Sequence, residues 1–423
     1  MTKFLLPRSI GTDRLLLRPC RVEDATGLTE AVAESRGQLD PWMPWSRFYD
    51  DPAAASVYIE TAQESWKNGD ELPLLITDRF SGEILGGSGF HHIHWDRGAF
   101  ATGYWVRTSA TGQGIAREAV RALIRLVFEH FQGTRIWLTC DSRNDRSRQI
   151  PEALGFRQEA CCRNDSRATD GSLRDTLVYG MMADEYAAVV RSWQVERFEL
   201  TRSETEAPAE SANDDEDVAS EQGVQFPRPL LIESPRLLLR RPEMTDAPEL
   251  FALVERSRAH FQPWFRWTRR VQTVADAEAI CALTDERWRE RSAYELLAFD
   301  RGTGAMVGGG SVHAFRWEVP AVEIDWWLDA AQTGKGLATE IGGALLRFVM
   351  ETWQANRADI WVQDINTASR AVGKRLGFTE EGIVRYDHPD ADGHPTNWAI
   401  SSVIPEEFQL LAGRLPMIRL EVD

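Results

Sequence analysis

A chain of 423 residues exceeds what a single hydrophobic core usually supports, so more than one domain is expected. The formal net charge of −17 and the isoelectric point near 5.1 argue against a nucleic-acid or anionic-membrane partner, since both are held through clustered Lys and Arg. The five cysteines, odd in number and without paired CxxC spacing, suggest a reducing compartment and no zinc site. The apolar start Phe4-Leu5-Leu6 before Pro7 is too short for a signal peptide and no run approaches a membrane span, so a cytoplasmic protein is expected.

Most of the chain repeats once, at an ungapped offset of 222 residues. Arg14-Leu15-Leu16-Leu17-Arg18 matches Arg236-Leu237-Leu238-Leu239-Arg240, and Pro41-Trp42 with Trp45 matches Pro263-Trp264 with Trp267. Leu154-Gly155-Phe156 matches Leu376-Gly377-Phe378 in the same register. A period this long, present twice, means two whole domains rather than a solenoid, whose repeats run to roughly 20–50 residues. The expected layout is a domain over 1–198, a flexible acidic linker over 199–227 and a second domain over 228–423. Between Glu199 and Gly223 nine acids face one base with few apolar residues, too little to offset the entropy of ordering.

In chain order, each copy opens with a short apolar strand, Leu15 to Arg18 or Leu237 to Arg240. A helix follows over Asp24 to Ala33 or Asp246 to Glu255, each with an acidic residue near its start as an N-cap requires. Next comes an aromatic loop, Leu39 to Trp45 or Phe261 to Trp267, whose prolines oppose helix. It reads either as core packing or as a wall of the acceptor pocket. A second helix ends near Trp66 or Trp288. Three strands with turn signals Ser81-Gly82 and Thr303-Gly304 then form an antiparallel meander, the last being Phe100 to Val106 or Val322 to Leu328. A glycine turn, a helix (Ala116 to Phe131; Ala338 to Trp353), a strand (Ile136 to Cys140; Ile360 to Gln363) and a helix from Asn144 or Asn366 follow. Gly171 and Gly393 mark a last hairpin.

The glycine turn organises the rest. Gln332-Thr333-Gly334-Lys335-Gly336-Leu337-Ala338-Thr339-Glu340 joins a strand to a helix, and Thr111-Gly112-Gln113-Gly114-Ile115-Ala116-Arg117-Glu118 says nearly the same. Two glycines let the backbone approach a ligand, and the free N–H groups of the first helical turn then point at phosphate oxygens. The strict P-loop spacing is absent. The strand order, with a strand–turn–helix–strand crossover that must be parallel, gives an α+β fold: two domains, each a mixed, mostly antiparallel sheet flanked by helices.

The opening RLLLR, the Pro-Trp-x-x-Trp loop, the strand VEIDWWL, the GKGLATE turn and Asn-x-x-Ser followed by LGF occur in order in a recognisable pattern. On these motifs each copy resembles the GNAT superfamily of acetyl-CoA-dependent N-acetyltransferases, and within it the RimJ/RimL branch that acetylates protein N-termini. The resemblance implies a splayed central strand pair, with the coenzyme pyrophosphate on the turn amides and its pantetheine arm along the strand before. Trp327 and Leu328 would meet the arm, and Gly334, Lys335, Gly336, Leu337, Ala338 and Thr339 the phosphates. Trp105, Val106, Gly112, Gln113, Gly114, Ile115, Ala116 and Asn144 are the first copy's equivalents. The family usually has Gln or Arg three residues before the first glycine; here Ser109 and Ala331 stand there, while Lys335 can add a charge.

Acetyl transfer from a thioester to an amine needs a base for the amine proton, a proton donor for the departing thiolate and donors for the oxyanion. Glu323 lies on the central strand where the family often carries the base, with Asp325 on the same face by period two; the alternative is a pair of solvated carboxylates. Ser369 matches the family serine proposed to protonate the thiolate, and Asn366 the residue that fixes the coenzyme arm; both also read as helix N-cap residues. The first copy has Ala101 and Gly103 in place of Glu323 and Asp325, and Pro151 inside its helix, but keeps Ser147. The cluster His91, His92 and His94 lacks a further ligand at a recognisable spacing, so no metal is expected, and matched His91 and His313 belong to the sheet or its pocket.

The expected activity is N-acetylation of a primary amine by the second copy. The acceptor is a peptide N-terminus, as the resemblance implies, or a small amine such as an aminoglycoside or polyamine, any of which the acidic surface attracts. The rival is a module that holds acetyl-CoA as a sensor, most open for the first copy. Pairing of the two domains, and a monomer or a homodimer, are all compatible with the sequence.

Overall fold

The computed structural model describes residues 5–49, 51–193, 197–206, 226–390 and 392–423. Contacts divide the chain into two compact units, one of residues 1–159, 168–172 and 176–216, the other of 160–167, 173–175 and 217–423. The first copy of the repeat opens with β1 (Leu5–Gly11), β2 (Leu15–Arg18), α1 (Ala25–Leu39) and α2 (Pro52–Asn68). β3 (Leu72–Asp78), β4 (Ile84–His94) and β5 (Ala99–Val106) lead to the glycine turn. After it come α3 (Ile115–Arg125), β6 (Arg135–Asp141), α4 (Asp145–Leu154), β7 (Arg157–Arg167), β8 (Leu173–Met182), α5 (Ala183–Val189) and β9 (Glu199–Glu206).

The second copy repeats this order. β10 (Pro229–Glu233) and β11 (Leu237–Arg240) precede α6 (Ala247–Phe261), the single turn α7 (Trp267–Arg270) and α8 (Val274–Glu290). β12 (Tyr294–Asp300), β13 (Met306–Arg316) and β14 (Ala321–Leu328) form the meander. α9 (Leu337–Glu351), β15 (Arg357–Gln363) and α10 (Thr367–Leu376) follow. β16 (Thr379–Pro389), β17 (Pro395–Val403), α11 (Pro405–Leu411) and β18 (Arg419–Val422) close the chain.

Hydrogen bonding in the second unit links β18, β10, β11, β12, β13, β14, β15, β17 and β16 in that order, and only the step from β14 to β15 is parallel. A parallel step needs a crossover, and α9 supplies it. The first unit repeats the plan with β9, β1, β2, β3, β4, β5, β6 and β8, parallel only from β5 to β6. These are the α+β domains with mixed, mostly antiparallel sheets that the sequence implies. Helix α9 lays Leu337, Ile341, Leu345, Phe348 and Val349 on the inner face of β14, where Val322, Ile324, Trp326 and Leu328 are buried. Alternation then turns Glu323, Asp325 and Trp327 to the opposite face.

Two expectations need correction. The first eight residues of the expected linker, 199–206, are the strand β9, antiparallel to β1. Their charge suggested a free chain, but an edge strand needs partners on one side only and tolerates charge. Residues 207–225 of that segment lie outside the described residues. Asp24 and Asp246, expected as N-caps, make no side-chain cap bond to their helices. Each instead closes the preceding 3₁₀ turn: Asp246 accepts the Glu243 N–H at 2.7 Å and both arms of the Arg240 guanidinium at 2.7 Å. No helix among the described residues is long and apolar enough to cross a membrane.

Burial alone would raise the Asp246 carboxyl, yet the Arg240 guanidinium and the Glu243 N–H hold it below the usual carboxylate range. The stability it contributes is therefore complete above the unfolded value near ~4 and is lost as pH falls through the lower folded value. Asp246→Asn should cost roughly 1.5–3 kcal/mol at pH 7 in urea unfolding. The gap between variant and parent should narrow in acid, and an equal gap at every pH would show that the charge contributes nothing.

Candidate active site

The glycine turn has the form an anion cradle requires. Gly334 and Gly336 sit at φ +77° and +78°, and Gly112 and Gly114 at +76° and +79°, a left-handed region that side chains strain to enter. A Cβ on Gly334 or Gly112 would meet nothing within 4 Å, so the space over the turn is open. Gly336 is the N-cap of α9 and offers no side chain to its first turn, where Leu337, Ala338 and Thr339 present their backbone N–H groups. In the first copy Gly114 leads in the same way into Ile115 and Ala116. Lys335 donates its Nζ to Gln332 Oε1 at 2.8 Å, beside the turn, and Gln113 donates its Nε2 to the Ser109 carbonyl at 3.0 Å. The residues fit the pyrophosphate of acetyl-CoA: an open left-handed turn, an uncapped helix start and a cation alongside.

One group of residues that hold the cradle was not identified from the sequence. Glu340, buried in the first turn of α9, accepts the Ser234 hydroxyl at 2.7 Å, the Arg236 backbone N–H at 2.7 Å and Arg236 Nε at 2.6 Å. The same guanidinium donates to the Lys335 carbonyl at 2.9 Å, pinning the turn itself. Thr12, Arg14, Glu118 and Gln113 build the same clamp in the first copy. The available signal was that Arg and Glu recur together in both copies, 104 positions apart each time.

Beyond the turn the central strands part. β14 and β15 pair only at Ala321 with Arg357, Val322 with Ala358 and Glu323 with Asp359. Past Glu323 they diverge around a cavity of about 80 Å³, with Ile324, Asp325 and Trp326 on one side and residues Ile360 to Gln363 on the other. Asn366 and Ser369 reach it from α10, and Trp264, Phe265 and Trp398 complete the wall. The aromatic loop thus divides between a cavity wall and packing. Trp264 and Phe265 line the cavity, while Trp267 packs edge-on against Trp327 with ring centroids 5.6 Å apart. The Trp327 ring lies across Gly309, where a Cβ would stand 2.7 Å from it, so the side chain is committed to packing. Trp105 packs likewise against Trp45 at 5.9 Å in the first copy. Leu328 and Val106 end their strands opposite Gly308 and Gly86.

Glu323 stands at the last pair before the strands part, with its side chain 20% exposed, not as an open-face carboxylate. Burial pushes its carboxyl up to about 7; His313 pulls it down, Asp359 and Asp325 push it up, and His388 pulls it down. Asp359 itself is tied to Arg316 and Arg357 at 2.7 Å each, so its charge is already matched. Asn366 Oδ1 accepts the Ser369 N–H at 3.1 Å and so caps α10, which leaves the NH₂ end of that amide for a ligand. Asn144 does the same for Ser147 at 3.1 Å.

The first copy differs at the same place. Pro151 runs inside α4 and cannot donate to the Ser147 carbonyl one turn back. The Tyr104 hydroxyl donates to that carbonyl instead at 2.9 Å and lies 3.2 Å from Ser147 Oγ. In the second copy these positions are Gly373 and Trp326. Burial pushes the Tyr104 phenol well up, so it remains a neutral donor. Among the described residues no group of His, Cys, Asp and Glu is arranged to hold a metal ion.

The family model for the acetyltransferase (GNAT) domain matches residues 14–157 and again 236–379, together more than half of the chain. The chain belongs to this family. It is an N-acetyltransferase whose acetyl donor is acetyl-CoA. A similar protein, the [ribosomal protein uS5]-alanine N-acetyltransferase of Escherichia coli (strain K12), is 29% identical over 183 residues, covering 42% of this chain and 92% of its own. Each such relative thus corresponds to one copy. Among solved structures, Mycobacterium smegmatis RimJ in complex with CoA-disulfide is similar at 26% identity, 44% of this chain, 96% of its own and a TM-score of 0.39. RimL, a ribosomal L7/L12 α-N-protein acetyltransferase in complex with coenzyme A, is 24% identical over 43% of this chain and 99% of its own, with a TM-score of 0.39.

If both turns bind acetyl-CoA, titration calorimetry on the full chain should count two sites. Gly334→Val forces a branched residue to positive φ, a strain of ~1–3 kcal/mol, and places its side chain in the open space over the turn. It should weaken one site by roughly tenfold or more and leave the other. Two unchanged sites in the folded variant would remove the phosphates from that turn.

Proposed function

We propose that the second copy acetylates the α-amino group of a protein, and that the first copy binds acetyl-CoA without comparable turnover. The observation that carries this reading is Glu323, a carboxylate at the mouth of the strand splay whose affinity for protons is raised by burial to about 7. A base with that value is well matched to taking a proton from an amine near neutrality. Acetyl-CoA supplies the acetyl thioester. Glu323 then accepts the amine proton, directly or through water, and Asp325 draws the cationic acceptor into the cavity. The Asn366 amide holds the coenzyme arm, Ser369 donates toward the departing sulfur, and the turn from Gly334 to Thr339 holds the phosphates. An α-amino acceptor is favoured by the Escherichia coli relative, whose name gives alanine of ribosomal protein uS5 as its target. A ribosomal target would also put the protein in the cytoplasm.

The sensor reading is kept for the first copy on a specific observation. Ala101 and Gly103 remove both carboxylates, and Tyr104 occupies the Ser147 hydroxyl.

Glu323→Gln should lower kcat by ~10²–10⁴ with coenzyme affinity nearly unchanged, and the residual rate should climb with pH as more acceptor becomes neutral. In the parent enzyme, activity should fall as pH drops below 7, because protonation of Glu323 removes the base. Ser147→Ala should alter the rate little. Near-normal activity in Glu323→Gln together with loss in Ser147→Ala would reverse the assignment of the active copy. Release of free thiol with peptides of defined N-terminus, against polyamines and aminoglycosides, reads the acceptor class.

A further inference from the structure

Glu323 faces an imidazole across the β13–β14 ladder. His313 is its direct register partner, and Nε2 of the ring lies 3.7 Å from Oε1 of the carboxylate. On the other side of the ring, Nδ1 lies 3.1 Å from the hydroxyl of Ser311, two residues back on the same face of β13. A hydroxyl donated to Nδ1 leaves the proton of the neutral ring on Nε2, toward the carboxylate, and a second proton makes the ring a cation there. At 3.7 Å the contact is electrostatic rather than a hydrogen bond, and partial burial of both side chains keeps water from screening it.

The first copy is an internal comparison. Gly89 and Ala101 stand where the second copy has Ser311 and Glu323, so both partners of the ring are missing together, while His91 is retained. Without them the ring is a neutral filler. Burial, with His92 as the second cause, pushes the His91 imidazole down to about 4, and its edge lies 3.5 Å from where a Gly103 Cβ would be. In the second copy a serine and a carboxylate flank this histidine; in the first, Gly89 sits at φ +141°, where a Cβ would meet the Leu72 carbonyl at 2.3 Å, and Ala101 carries no charge.

We propose that His313 is a positioning residue for acetyl transfer: held by Ser311, its imidazole orients the Glu323 carboxylate and favours its ionised form. This rests on Glu323 being the base. The groups facing that carboxylate are His313 on β13, Asp359 on β15, Asp325 on β14 and His388 on β16. The two imidazoles favour the ionised form and the two carboxylates oppose it, and His313 has the largest influence of the four.

The test is the pH profile of kcat/KM for the full chain with one peptide acceptor, whose own titration is common to all variants. His313→Gln removes the charge but keeps a polar side chain of similar length. Its acid limb should move to higher pH by roughly half to one unit, read as a three- to tenfold lower rate on that limb. The high-pH plateau should fall less than the acid limb, since there the carboxylate is ionised without help and only its orientation is lost, and the KM for acetyl-CoA should stay near the parent value. Ser311→Ala should move the limb in the same direction by less, and it carries the test should His313→Gln fail to fold. A limb that does not move overturns the inference, whatever happens to the plateau. Glu323→Gln separates the two levels. If it loses turnover while the His313→Gln limb stays put, only the role of His313 falls; if it keeps turnover, the base assignment and this inference fall together.

Discussion

The fold of each copy depends on one buried carboxylate. Glu340 sits at the start of α9, 8% exposed, where an isolated charge would be costly. It is tolerated because the start of β11 surrounds it with donors: the Ser234 hydroxyl, the Arg236 N–H and the Arg236 guanidinium. The positive end of the helix adds to the same charge. Since the guanidinium also holds the Lys335 carbonyl, this one ionic site fixes strand, turn and helix together. The left-handed glycines are thereby kept open, and the crossover helix is aimed down the back of β14.

The second constraint is where the central strands stop pairing. Parallel pairing over three residue pairs and then divergence creates a cavity inside the sheet without interrupting either strand. The residue at the last pair is largely buried and precedes Ile324, the first cavity-lining residue of the strand, and burial of this kind raises a carboxyl. Glu323 occupies that position in the second copy, and Ala101 in the first.

Much of this was legible in the sequence because the chain is written twice. Period-two alternation in 322–328 placed Glu323 and Asp325 on one face, and the glycine spacing marked the left-handed turn. Three things were not legible. The clamp joins Arg236 to Glu340, and nothing local in either motif says that they meet. The aromatic loop mixes core and cavity residues of the same chemical type, so Trp264 and Trp267 cannot be told apart until the backbone turns between them. Pro151 announced a missing hydrogen bond, but that Tyr104 takes the orphaned Ser147 carbonyl depends on the β5 strand ending beside α4.

The two copies also differ in which parts have been free to change. The glycine turn is made of backbone N–H groups and φ angles, and the two copies keep it to within a few degrees. In and beside the strand splay the copies differ instead in their side chains, at Glu323, Asp325, Ser311, Trp361 and Trp398. In the first copy these positions are Ala101, Gly103, Gly89, Thr139 and Thr176, all smaller or without the needed group. Every one of these changes is compatible with the sheet, since each side chain faces the splay or its rim rather than the core under α9. The side chains around the splay can therefore differ between the copies while the sheet core and the glycine turn stay the same.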